Sequence, residues 1–166
     1  MGMTLHYIRI SSSSLDRYLQ DAVLLKQDYF TPEGIRSAEN IYDIDKSWDG
    51  IIYLLTGKNS SDTSSPLSRL MFSNRLIDKQ QDLGTGPAHY LLPEEVMELH
   101  EQIKDIQPLS LKATFDAAAM KELGVYPNNV WDEEEVDDYL IEYFETVQEI
   151  FAVAAKNEEA IITLLQ

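Results

Sequence analysis

Residues 43–57 read Asp-Ile-Asp-Lys-Ser-Trp-Asp-Gly-Ile-Ile-Tyr-Leu-Leu-Thr-Gly and contain the most regular pattern in the first half of the chain. Four apolar residues there recur at steps of four, three and four, namely Ile44, Trp48, Ile51 and Leu55. This spacing predicts a helix that buries one face, with the tryptophan contributing a large apolar area. Asp43 or Asp45 is expected to cap its first turn, and Gly57 to end it in a left-handed conformation.

Length and composition predict a folded protein. The chain has 166 residues, of which 44 % are hydrophobic and 10 % aromatic. We expect one domain over residues 1–166, with a core that needs no disulfides. The absence of cysteine excludes disulfides, thiolate metal sites and cysteine nucleophiles, and it suits a reducing cytoplasm. No apolar run approaches the roughly 20 residues of a membrane helix, and no leader pattern begins the chain, so a cytoplasmic location is expected.

The balance of charge is strongly acidic. Thirteen Lys and Arg residues against 29 Asp and Glu residues give a net charge of -16. Nucleic acids and anionic membranes are both bound through basic surfaces, so neither is expected as a partner. A basic protein is the partner that this charge favours, although many bacterial proteins are acidic for solubility alone.

The remaining segments predict more helix than strand. Alternation over residues 3–10 predicts a strand with both faces partly covered, and the apolar run 160–165 predicts a closing strand. Helical spacing recurs in four further segments, residues 13–25, 93–103, 108–123 and 132–156. These elements predict a single α+β domain, in which helices pack on a small sheet that includes the N- and C-terminal strands.

The starts of these helices have recognisable caps. Ser13 and Asp16 have the spacing of a capping box, and Pro93 is placed to open a helix. Asp132 is expected to cap the last helix, with three glutamates in its first turn. A weaker pattern predicts a short helix from Ile35 towards residue 43.

Several of these segments together resemble a known family. The matching segments are the Met1-Gly2-Met3 start, Asp43-Ile44-Asp45-Lys46-Ser47-Trp48-Asp49 leading to Leu54-Leu55-Thr56-Gly57, then Pro66-Leu67-Ser68-Arg69, the Tyr126-Pro127 turn, the long acidic helix and the apolar tail. On these residues the chain resembles the YfbM-like family of bacterial proteins, whose function is unknown. The resemblance covers nearly the whole chain and implies a single α+β domain, but it brings no catalytic residue with it. The serine-rich stretch after Gly57 departs from the family pattern.

The block around Trp48 that carries this resemblance supplies a candidate ligand site. We expect five residues to form a polar patch facing a cleft beside a buried tryptophan, namely Asp45, Trp48, Asp49, Ser68 and Arg69. The competing interpretation is a helix cap followed by a solvated charged face. The alternating acids resemble the start of a calcium loop, but Trp48 stands where glycine is needed and Leu54 where the closing glutamate is needed.

Other catalytic and cofactor patterns are missing from the sequence. The three histidines His6, His89 and His100 lack the close spacing of metal ligands, and no H-E-x-x-H motif occurs. There is also no nucleophile elbow and no phosphate-binding glycine loop. We therefore expect no metal and no cofactor, and no residue is assigned a catalytic role.

The acidic last helix is the candidate partner-binding surface. It carries Asp137, Asp138, Glu142 and Glu145, and no Lys or Arg lies between Lys121 and Lys156. These acids form either a solvated outer face or a surface that docks a basic protein, with electrostatic steering of the encounter.

Three functions follow from the sequence. The leading hypothesis is a non-enzymatic cytoplasmic protein-binding module, of an immunity or adaptor type, for a basic partner. The alternative is a small-molecule-binding protein or an enzyme with a pocket near Trp48. A third is a homodimer held by an exposed apolar helix face.

Overall fold

An antiparallel sheet of four strands forms the centre of the protein, in the order β4-β1-β6-β5. The computed structural model describes residues 2–166, and its strands are β1 (Leu5–Ile10), β2 (Phe30–Thr31), β3 (Gly34–Ile35), β4 (Ile41–Asp43), β5 (His89–Leu91) and β6 (Ala160–Leu165). The short β2 and β3 pair with each other in a separate hairpin. Both terminal strands lie inside the larger sheet, paired from Leu5 with Leu165 to Ile10 with Ala160. This confirms the two strands predicted at the ends of the chain.

Helices cover both faces of this sheet. They are α1 (Ser12–Gln20), α2 (Val23–Tyr29), α3 (Trp48–Thr56), α4 (Pro93–Ile103), α5 (Pro108–Lys112), α6 (Ala117–Glu122) and α7 (Val136–Lys156), with a 3-10 helix at Pro66–Leu70. Within residues 2–166, helical residues far outnumber strand residues, which confirms the α+β class with more helix than strand.

The two faces of β1 explain why the sheet has helices on both sides. Leu5 and Tyr7 point into the larger core, where α3, α4 and α7 pack. Ile8 and Ile10 point into a smaller core beneath α1 and α2. All four side chains are buried, because successive residues of a strand face opposite sides.

Helix α3 begins at Trp48, so the predicted start near Asp43 is wrong. Asp43 ends strand β4, where it lies opposite His6 of β1. The pairing with β1 continues past it, because the Ile44 N–H donates to the Leu5 carbonyl at 3.0 Å. Asp45 then adopts a φ of 49°, which breaks the path before the helix starts. Neither aspartate caps α3, whereas Gly57 ends it at a φ of 71°, as predicted.

Helix α7 begins at Val136, four residues later than its predicted cap at Asp132. The residue before it, Glu135, has a φ of 62°, which helical backbone does not permit. Asp132 instead forms an ion pair with Lys121. The three predicted first-turn glutamates therefore precede the helix, whereas its end at Lys156 agrees with the prediction.

Two predicted helices are each divided into two. Ser11 caps α1 by accepting the Ser14 N–H at 3.2 Å, so the predicted Ser13 capping box is wrong. A break at residues 21–22 separates α1 from α2. Segment 108–123 breaks in the same way, since α5 ends at Lys112 and Asp116 caps α6 by accepting the Ala119 N–H at 3.0 Å. The short helix predicted after Ile35 is absent from residues 35–43, since strand β4 occupies that place.

Candidate functional site

An open cleft of about 400 Å³ lies between the turn that precedes α3 and the segment that precedes α7. Its lining residues are Asp45, Lys46, Pro127, Val130, Trp131, Glu133, Glu134, Glu135, Val136 and Tyr139. The lining thus includes four acidic residues and one lysine, together with aliphatic and aromatic residues. Such a cleft suits a cation carried on an apolar stem, since ligand pockets combine apolar walls with a few polar groups.

Asp45 and Tyr139 meet across this cleft. The Tyr139 hydroxyl donates to Oδ2 of Asp45 at 3.0 Å, and the Asp45 N–H donates to Oδ1 of Asp43 at 2.7 Å. Burial raises the pKa of Tyr139, and the hydrogen bond to the Asp45 carboxylate raises it further. Tyr139 therefore remains a neutral phenol and holds the Asp45 carboxylate in place.

Trp48 supports the cleft from behind. Its ring stacks on Tyr126 at a centroid distance of 5.1 Å, and its Nε1–H donates to the Met3 carbonyl at 3.2 Å. Only 4 % of Trp48 is exposed. Because Tyr126 precedes the cleft residue Pro127, the tryptophan positions the wall of the cleft and does not itself line it.

Asp49 is a buried clamp, so the expectation of a solvated charged face is wrong for this residue. Only 3 % of it is exposed. Its two carboxylate oxygens accept the Ser60 N–H at 2.6 Å and the Tyr126 N–H at 2.7 Å. Burial raises the pKa of Asp49, and these two N–H donors oppose the rise without cancelling it. Asp49 therefore ties α3 to the serine-rich loop and to the backbone beside the cleft.

Ser68 and Arg69 lie outside the lining of the cleft. The buried Ser68 hydroxyl donates to the carbonyl of Ser65, the residue that caps the 3-10 helix, at 2.6 Å. The Arg69 guanidinium bonds to Oε1 of Glu95 at 2.8 Å, at the start of α4. Of the five residues predicted to form the ligand site, the structure brings only Asp45 into the cleft. Ligand binding by the set stays a prediction.

A ridge of carboxylates runs along α7 from the cleft. Its exposed members follow one another at steps of four, three and four, namely Asp138, Glu142, Glu145 and Glu149, and we call them the acidic ridge. The Lys112 ammonium bonds to Asp138 and to Asp137. Within residues 2–166, the other three ridge carboxylates have no cationic side chain within 4.0 Å. Three of the four predicted partner-binding residues thus lie on this ridge, and Asp137 lies beside it.

Sequence reasoning missed several residues of the cleft. Lys46 and Tyr139 were not singled out, and the three glutamates before α7 were assigned to its first turn. The contact between Asp45 and Tyr139 joins residues 94 positions apart, and no local pattern announces it. The acidity of residues 132–135 is the sequence feature that could have pointed to the cleft.

The described part of the chain holds no group of three or more His, Cys, Asp or Glu residues arranged to bind a metal ion. None of the helices within residues 2–166 is both long enough and apolar enough to span a bilayer.

Comparison with known proteins gives a consistent identification of the fold. Residues 1–164 match the family described as "Domain of unknown function (DUF1877)". The protein YfbM of Escherichia coli strain K12 is 25 % identical over 138 residues, which cover 81 % of this chain and 78 % of YfbM. The crystal structure of YfbM from Escherichia coli, titled as a protein of unknown function, superposes with a TM-score of 0.73 at 19 % identity. That match covers 98 % of this chain and 99 % of the other.

Proposed function

We propose that this chain, which belongs to the family of the domain of unknown function DUF1877, is a cytoplasmic protein-binding module that captures a basic protein. The observation that carries this proposal is the acidic ridge on α7, whose carboxylates lack cationic partners over most of its length. The proposed role is non-enzymatic and of the immunity or adaptor type, in which a bound partner is shielded or positioned.

The ridge is unfavourable for the isolated protein. Like charges spaced three or four residues apart on a helix repel each other, and this arrangement occurs along the ridge from Asp138 to Glu149. A bound cationic surface would relieve that repulsion. The ridge extends about 16 Å along the helix at 1.5 Å per residue, a length that matches a short basic helix or strand of a partner.

The net charge of -16 strengthens the same proposal. Charge of one sign accelerates the encounter with an oppositely charged partner, and salt weakens that acceleration. The cleft lies at the start of α7, so a basic side chain of the partner can enter it while the ridge contacts the rest of the basic surface. The ridge and the cleft would then form one binding surface.

Capture from a lysate of the native host tests this proposal. We expect the ridge variant Glu142→Gln/Glu145→Gln/Glu149→Gln to capture at least about tenfold less of the basic protein than the wild type does. The reason is that the substitutions remove the charge pairs across the interface. A matched control is Asp16→Asn/Glu33→Gln/Glu39→Gln, which removes the same number of exposed carboxylates from other parts of the surface. The captured protein is identified by mass and rebound from purified components.

The control decides between a specific surface and general acidity. If the ridge variant alone loses the partner, the ridge is the binding surface. Equal capture by the ridge variant and the wild type would contradict the proposal. Equal loss in both variants would also contradict it, because net charge would then explain binding without the ridge.

A small organic cation bound in the cleft is the second candidate function. The cleft itself favours it, because about 400 Å³ of space lies between carboxylates and an apolar wall beside the Trp48–Tyr126 stack. A ligand of this kind raises the unfolding temperature of the wild type, whereas Asp45→Asn/Tyr139→Phe should abolish most of the rise. The ridge variant should retain it. A screen of cationic metabolites that leaves the wild-type unfolding temperature unchanged would count against this candidate.

A further inference from the structure

Helices α4 and α7 lie antiparallel on the surface of the larger core. The Gln148 side-chain amide donates to the Ile103 carbonyl at 2.7 Å and to the Ile106 carbonyl at 3.1 Å, so the end of α4 lies beside the middle of α7. Towards the end of α7, a shallow groove of about 390 Å³ opens between the two helices. Its lining residues are Met97, His100, Glu101, Ala152, Ala155 and Lys156.

We propose that this groove is the interface of a two-fold symmetric dimer of this chain. Met97 is 43 % exposed, although it is a large apolar side chain. Ala152 and Ala155 form the opposite wall, and their small side chains leave a depression beside it. In a two-fold arrangement the methionine of each copy packs into the alanine wall of the other, so both apolar surfaces become buried.

The charges at the edge of the groove are complementary to their own two-fold image. Glu101 lies on α4 and Lys156 on α7, with the groove between them. Rotation about a two-fold axis through the groove places Glu101 of each copy against Lys156 of the other, which gives two ion pairs across the interface. Lys156 is exposed and has no carboxylate within 4.0 Å in the described part of its own chain. Glu101 bonds to Lys104 at 2.6 Å, an exposed contact that can be exchanged at little cost.

The local charge also explains why a second copy is the occupant. A chain with a net charge of -16 repels its own copies across most of its surface. The lining of the groove, however, carries one acidic and one basic side chain, Glu101 and Lys156, and Lys104 lies beside Glu101, so the groove does not share the strongly negative charge of the chain as a whole. None of the four ridge residues lines the groove, although Glu149 lies one turn before Ala152 on the same face of α7.

Sedimentation equilibrium tests the dimer directly. The wild type at about 200 μM is expected to have the mass of two 19.0 kDa chains, with a dissociation constant in the micromolar range typical of a small interface. Met97→Glu should weaken association at least about tenfold by placing a charge in the apolar contact. Leu109→Glu introduces the same charge at an exposed apolar residue outside the groove and should leave the dimer intact.

A charge exchange supplies the second measurement and alters no buried side chain. Glu101→Lys and Lys156→Glu should each lose the dimer, because each places like charges against one another. Mixed in equal amounts, the two variants should form a heterodimer, since both cross-interface pairs are then opposite in sign. A wild type that remains monomeric at this concentration would overturn the proposal and leave the groove to a ligand or a foreign protein. A dimer that survives all three groove variants would also overturn it.

Discussion

Replacement of Trp131 by alanine is expected to lower the free energy of unfolding by about 3–5 kcal/mol, the range for removal of a buried aromatic side chain. Trp131 is 1 % exposed, and its Nε1–H donates to the Val125 carbonyl at 2.9 Å. Its ring packs against Gly50 of α3 so closely that a Cβ there would lie 2.9 Å from the indole. The alanine variant therefore leaves a cavity between α3 and the segment before α7. Urea unfolding followed by far-UV circular dichroism measures the loss.

The control for this prediction is Leu109→Ala. Leu109 is 81 % exposed on α5, so its truncation is expected to change the free energy of unfolding by no more than about 0.5 kcal/mol. If Trp131→Ala cost less than about 1 kcal/mol, the packing of α3 against this segment would not be a main source of stability.

Replacement of Asp49 by alanine is expected to cost about 2–4 kcal/mol, because it leaves two backbone N–H donors without their acceptors. Those donors belong to Ser60 and Tyr126, so the loop after α3 and the backbone beside the cleft are both released. Asp49→Asn keeps the shape but only one acceptor oxygen, and a smaller loss is expected. Hydrogen exchange should show faster exchange of both amides in the alanine variant. Unchanged exchange at either amide would contradict the clamp.

The same position has a defined pH dependence. Burial raises the pKa of Asp49 above its ordinary value of 3.8. The folded state therefore binds this proton more tightly than the unfolded state does. The resulting contribution to the free energy of unfolding is fully present below the unfolded pKa and is lost as the pH rises through the raised folded pKa. The free energy of unfolding of Asp49→Asn should therefore fall less than that of the wild type over this interval. Parallel curves for the two proteins, from urea titrations at stepped pH, would contradict the assignment.

Local sequence patterns were sufficient for strands that pack against apolar surroundings and for residues that act through their own backbone preferences. Alternation over residues 3–10 predicted β1 and the apolar run 160–165 predicted β6, and both strands are buried on both faces by mostly apolar side chains. Gly57 and Pro93 act through their own backbone preferences, and both predictions are confirmed. The acidic ridge could also be predicted from the sequence, since a helix places residues three and four positions apart on one face.

Patterns failed where a distant contact decides the local structure. The spacing around Trp48 is helical, but strand β1 pairs with Asp43 and Ile44 and delays the start of α3. The burial of Asp49 depends on Tyr126, which is 77 residues away. The cleft likewise depends on the meeting of Asp45 with Tyr139. A single sequence contains no signal for such long-range pairs, so the cleft could not be assembled from it.

The association rate of the purified protein with its captured basic partner, measured at low and raised salt, tests the central claim most directly. If the acidic ridge steers and holds the partner, the wild-type rate should fall by at least about tenfold between 20 and 300 mM salt. The rate of Glu142→Gln/Glu145→Gln/Glu149→Gln should start lower and depend less on salt, whereas Asp16→Asn/Glu33→Gln/Glu39→Gln should stay close to the wild type. Rates that fall equally with salt in all three proteins would contradict the claim that the ridge on α7 is the docking surface.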